Sequence, residues 1–211
     1  YDYNLMTSVF VALQSVNGRP TGSPTKISFS SQEWCGQLYH QLLFDEKAIR
    51  EVSHSYFDGE ADRDQTLDYP ADGISEDALL LWARGLAAPP LEPGETREVP
   101  LLRSVEFARL RHLPVAWTKA VLSRSEKKEQ VTVPAGTFEV ESLTAAVQDG
   151  RRWTFYVEAA NPQRILKWET DDGLKAELLA SDRLQYWKMN APEFRTAVEK
   201  LGLSPRPPRT P

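Results

Sequence analysis

The chain has 211 residues, 41% hydrophobic and 26% charged, and a formal net charge of −5 with both signs interspersed. That balance fits a globular protein and excludes a nucleic-acid surface, which needs a basic stripe to displace counterions. A chain this long buries roughly 70% of its unfolded surface and needs no metal or disulfide staple; no apolar run approaches the ~18 residues of a membrane-spanning helix.

Cys35 is the single cysteine, so no internal disulfide can form and the count leaves the compartment open. The chain opens on Tyr1 rather than methionine, and a processed or excised form of a longer protein is the expectation.

In chain order, residues 5–13 (LMTSVFVAL) are apolar and β-prone, and NGRPTGSP at 17–24 reads as a turn. TKISFSS (25–31), WCGQLYHQLLF (34–44) and AIREVSHSYF (48–57) read as strands. In the second, Cys35, Gln37 and Tyr39 share one face and Gly36, Leu38 and His40 the other. Residues 58–73 are acidic and read as irregular. ISEDALLLWARGLA (74–87) reads as a helix, with Ser75 as N-cap and Glu76 and Asp77 in the positive first turn. Leu79, Trp82, Ala83 and Leu86 have the spacing of its buried face.

The remainder reads as an antiparallel meander. Its strands are REVPLLRSVEFARL (97–110), VAWTKAVLSRS (115–125), KEQVTV (128–133), TFEVESLTAAV (137–147), RRWTFYVE (151–158), QRILKWET (163–170) and LKAELLAS (174–181). Tight turns are expected at Pro134-Ala135-Gly136, at Gln148-Asp149-Gly150 and at Asp171-Asp172-Gly173. A second helix is expected from Ala191 to Leu201, capped by Asn190 and stopped by Gly202. Residues 1–203 are read as one β-rich domain and 204–211 as an extended Pro-rich tail, with a PxxP from Pro205 to Pro208.

Nucleotide, phosphate, serine-hydrolase and zinc-protease motifs are absent, and His40, His54 and His112 have no ligand spacing. No cofactor and no metal site is expected. Thiol catalysis needs a thiolate held by a histidine or a helix N-terminus. Strand alternation turns His40 away from Cys35, whereas His54 on the next strand could face Cys35 or Tyr39, depending on register. Against a nucleophile stands the plainer reading of Cys35 as a small core residue. The acidic run Asp58, Glu60, Asp62 and Asp64 lacks calcium-loop order and reads as solvated. Trp34, Tyr39, Trp82, Trp117, Trp153, Phe155 and Trp168 are candidates to line an apolar ligand cavity. The competing role for them is core filling between sheet and helix.

Two stretches resemble known families. YDYNLMTSVF followed by SSQEWCGQLYHQL resembles an uncharacterised family of bacterial exported proteins, often lipoproteins, with similar YDY-MTSVF and SSQEWCG segments. VTVPAGTFEVESL, GRRWTFYVEAANPQRILKWET and LKAELLAS resemble exported domains of unknown function in which a VPAGTF turn precedes such strands. Those domains are similar in architecture to the lipoprotein carriers LolA and LolB: an incompletely closed antiparallel barrel with helices over its open side. The resemblance implies a cell-envelope role and supplies no catalytic residues.

The expected fold is mainly β (α+β): a curved antiparallel sheet or half-barrel with one or two packed helices, the 75–87 helix on its concave side. The expected function is a non-enzymatic envelope protein, periplasmic or associated with a bacterial outer membrane. It would hold a lipophilic ligand, a lipoprotein or another protein partner in a cleft between sheet and helix. The alternative is a cysteine-dependent enzyme using Cys35 with His54 or His40 as base. A third reading is an assembly module whose partner site is an exposed sheet edge or apolar patch.

Overall fold

The computed structural model describes residues 3–204. The fold is mainly β, with 47% of residues in strands against 13% in helices. The strands fall into two sheets, neither closed into a barrel. The first holds β1 (Asn4–Val11), β2 (Pro24–Gln32), β3 (Gln37–Phe44), β4 (Ala48–His54) and β5 (Asp62–Asp68), an antiparallel meander in chain order. The second has the order β12-β11-β10-β9-β8-β7-β6. Its strands are β6 (Ile74–Ser75), β7 (Thr96–Leu102), β8 (Trp117–Val133), β9 (Gly136–Val147), β10 (Arg152–Glu158), β11 (Ile165–Thr170) and β12 (Lys175–Glu177). All its pairings are antiparallel except β6 with β7.

Several boundaries differ from the sequence reading. Residues 62–68 form β5 rather than irregular chain. Their charges are matched across the ladder to β4: Arg50 Nη2 lies 2.8 Å from Asp64 Oδ2, and His54 Nδ1 2.6 Å from Asp62 Oδ1. Cross-strand partners thus supply what the acidic composition denies to an isolated strand. The strand expected over 97–110 ends at Leu102. Ser104 then caps a short helix, α2 (Val105–Leu110), the second after α1 (Leu79–Ala83).

The 74–87 helix is shorter than its apolar spacing predicts. A 3-10 turn at Glu76–Ala78 leads into α1, and Leu86 stands exposed. Ser75 caps it as expected, its Oγ accepting from the Asp77 N–H at 3.2 Å. The two strands expected at 115–125 and 128–133 are one 17-residue strand, β8, with a register shift between Arg124 and Lys128. Residues Pro192–Leu201 are 3-10 helical, with Ala191 rather than Asn190 at the N-cap and Gly202 left-handed (φ 68°) at the stop. The last strand keeps only Lys175–Glu177 of the expected eight residues. Of the expected tail, Pro205 onward, including the PxxP, lies outside the described residues.

Two apolar cores follow from the alternation of the strands. On the five-stranded sheet, Ile27, Phe29, Leu38, Leu42 and Ile49 pack with Leu102, Val105, Ala108 and Val115, so α2 covers that face. On the seven-stranded sheet, Val99, Leu101, Ala120, Leu122, Ala145, Phe155 and Val157 pack with Leu79, Trp82 and Ala83 of α1. Full burial of one such side chain stabilises by about 1.5–3 kcal/mol. Half-buried Val9 of β1 touches both clusters, so β1 lies where the two cores meet.

Candidate functional site

Alternation along β10 puts Trp153, Phe155 and Val157 on one face, and the register sets Trp168 of β11 opposite Phe155. The rings of Trp153 and Phe155 lie parallel with centroids 6.0 Å apart, and Trp153 meets Trp168 at 5.4 Å. Trp82 of α1 packs edge-on to Phe155 at 6.4 Å and anchors its Nε1–H on the Pro89 carbonyl, 3.0 Å away. Phe155 and Trp82 are buried, whereas Trp153 and Trp168 are only partly covered. Trp153 Nε1 is buried without a hydrogen-bond partner among the described residues.

Facing these rings stands α2. Glu76 Oε2 accepts from the Ser104 N–H at 3.1 Å and Asp77 Oδ2 from the Val105 N–H at 3.0 Å, tying α2 to the 3-10 turn before α1. Burial pushes the Asp77 carboxyl up to about 6, against the backbone and Ser104 hydrogen bonds and with Glu76 and Glu106 adding to the rise. Arg103 and Arg111 flank the Phe107 ring at 4.1 and 4.9 Å. Arg103 Nε also reaches Glu76 Oε2 at 3.2 Å, and its guanidinium lies so close to the Gly150 turn that a Cβ there would collide with it.

Between these elements lies a cleft of about 1040 Å³. Trp153, Phe155, Trp168, Leu79, Leu80, Phe107 and Leu110 line it, together with Thr7 of β1. Six carboxylates and three arginines border the same space, so its apolar wall carries a rim of both charges. Arg151 and Asp172 in that rim pair at 2.6 Å.

Of the sequence candidates, Trp153, Phe155 and Trp168 come together here, with Trp82 behind them in the core. The others lie elsewhere. Trp34 is 88% exposed in the turn between β2 and β3. Tyr39 donates its hydroxyl to Gln41 Oε1 at 2.9 Å on the five-stranded sheet. Trp117 stacks on Tyr69 at 6.1 Å beside the other core and donates Nε1–H to the Asp68 carbonyl.

Cys35 is exposed rather than buried in a strand, because β3 begins only at Gln37. The Glu33 N–H donates to the Gly36 carbonyl across the turn that holds it, and the Tyr56 ring occupies the space a Cβ on Gly36 would need. Cys35 makes no hydrogen bond among the described residues. Both candidate bases are engaged elsewhere. His40 is turned into the core, as alternation predicts, with Nε2 2.9 Å from Glu51 Oε1. His54 is exposed against Asp62 and pairs in register with Tyr39.

The sequence reading missed Arg103 and Phe107, because it took their segment as strand, and Arg111 just beyond it. The available signal was Ser104 followed by an acidic Glu106 in the first turn, the mark of a helix start. Among the described residues no group of three His, Cys, Asp or Glu side chains is placed to hold a metal ion, and no helix is long and apolar enough to cross a membrane. No family model, curated protein or solved structure matches the chain.

Proposed function

We propose that this is a non-enzymatic binding protein of the bacterial cell envelope, taking a lipophilic ligand or a lipidated or protein partner into the cleft between β10, β11 and the short helices. The observation that carries the reading is the pair of partly covered indoles, Trp153 and Trp168, in a cleft floored by Phe155 and walled by Leu79 and Leu80. Burying such surface is favourable by about 25 cal/mol per Å² removed from water. The mixed-charge rim suits a ligand with a polar end held at the mouth, where Arg103 and Arg111 stand over Phe107. The periplasmic or outer-membrane location rests on the resemblance of YDYNLMTSVF and SSQEWCG to exported proteins.

Titration with the fluorescent fatty acid cis-parinaric acid tests this. Energy transfer from tryptophan to the bound polyene is expected to saturate. Trp153→Ala and Trp168→Ala are expected to weaken binding about tenfold or more, each tenfold being about 1.4 kcal/mol, while Trp34→Ala leaves it unchanged. Equal binding by all three variants would remove the cleft from consideration. Absence of saturable binding to the wild type would leave a polypeptide partner as the occupant.

A further inference from the structure

Four strands end the two sheets: β1 and β5 in the first, β6 and β12 in the second. Three of them are poor templates for further pairing. β5 (DRDQTLD) carries Asp62, Arg63, Asp64 and Asp68, β12 is three residues long with Lys175 and Glu177, and β6 is two residues long. β1 differs from all three. It runs eight residues, NLMTSVFV, without a charge, a proline or a glycine. Folded proteins guard their edges with charge, proline or brevity, because an open uncharged edge pairs with another strand.

The ladder shows which β1 groups are available. The Glu33 N–H bonds the Gly36 carbonyl, so odd-numbered residues of β2 bond to β3 and even-numbered ones to β1. The register from Asn4↔Gln32 to Phe10↔Lys26 then turns the backbone of Met6, Ser8 and Phe10 toward β2. The N–H and C=O groups of Leu5, Thr7 and Val9 turn to the open edge. On the face away from the core, Met6 is 63% and Phe10 53% exposed, each two residues from Ser8.

We propose that β1 pairs antiparallel with β1 of a second copy about a two-fold axis through Ser8, joining two five-stranded sheets into one of ten strands. In that register Thr7 exchanges backbone hydrogen bonds with Val9 of the second copy. Met6 lies beside Phe10 of the second copy, and Phe10 beside its Met6, so one contact made twice covers both exposed side chains. Residues at a two-fold axis meet their own kind, where any charge would repel itself; β1 has none. The equal spacing of Met6 and Phe10 about Ser8 favours a second copy over a foreign strand.

Sedimentation velocity over a wide concentration range tests the pairing. The expected species has twice the 23.9 kDa chain mass, and Phe10→Lys returns it to a single chain with an unchanged far-UV spectrum. In a Cys35→Ser background, Ser8→Cys is expected to form a disulfide-linked dimer on mild oxidation, since facing non-hydrogen-bonded residues have the closest side chains. That cross-link decides the matter even where Phe10→Lys disturbs folding. A single chain at every concentration, or a dimer that Ser8→Cys does not cross-link, would overturn the proposal. Either result leaves the cleft reading standing.

Discussion

The five-stranded sheet buries a polar row within its core, and the seven-stranded sheet packs Phe155 against the rings of Trp82 and Trp153 and opposite Trp168. In the first, His40, Glu51 and Ser53 are fully buried on the face that also carries Phe29 and Leu42. Glu51 touches His40 and accepts from Gln65 Nε2 at 2.6 Å, with Arg63 3.6 Å away. In the second, partly covered Trp153 and Trp168 open onto a cleft. The difference shows what each kind of side chain tolerates. A buried carboxylate needs charged or hydrogen-bonding partners, because one left unpaired is strongly destabilising. An indole at a cleft wall loses little when half exposed, and so can serve a ligand.

The sharpest way to break this contrast is to remove one member of the polar row. Glu51→Ala leaves His40 buried without its partner and is expected to cost about 3–5 kcal/mol. Urea denaturation checks it, and a loss near zero would mean that the row is open to water after all.

The two regions also answer pH with opposite signs. Burial pushes the Glu51 carboxyl up, but His40, the Gln65 hydrogen bond and the Arg63 charge outweigh it and hold it below the ordinary range. Its stabilisation is present above the unfolded value of about 4.3 and is lost as pH falls through the lower folded value. Asp77, raised to about 6, behaves in reverse. The folded chain keeps its proton, so that contribution is present below about pH 3.9 and is lost as pH rises through about 6. At about 1.4 kcal/mol per unit the Asp77 contribution is on the order of 2–3 kcal/mol. Asp77→Asn should therefore flatten the decline between those pH values while leaving the acid limb set by Glu51. Urea midpoints across pH measure both; an unchanged slope in Asp77→Asn would mean another group titrates there.

The smallest expected effect concerns how α2 reaches the cleft. Ser104 Oγ accepts from the Phe107 N–H at 3.3 Å, and Ser104→Ala is expected to cost about 1 kcal/mol. A denaturation midpoint reads the loss, and its absence would show that Glu76 and Asp77 alone hold the start of α2.

Much of the meander was legible. The β1, β2 and β3 strands, the turns at Gly136 and at Asp171-Asp172-Gly173, and the shared face of Trp153 and Phe155 follow from apolar alternation broken by turn residues. The misread stretches have one cause in common. β5 is too acidic to read as a strand until Arg50 and His54 lie opposite it. Residues 105–110 are apolar enough for either state, and the choice was made by Glu76 and Asp77, 28 residues earlier, meeting the amides that start α2. Cys35 was read as a small core residue because most free cysteines are buried. The chain instead reverses between Gln32 and Gln37 and leaves the thiol at a turn.

The site divides in the same way. Sequence alone set which side chains alternate, where turns can form and that His40 shares the face of Leu38, because these depend on neighbours along the chain. Tertiary structure decided that the strands split into two sheets, that Trp153 and Trp168 meet while Trp34 and Trp117 lie apart, and that Phe107 and two arginines face them. It also left β1 as the one long uncharged edge. Those outcomes depend on which distant strands share a ladder, and local periodicity carries no record of that pairing.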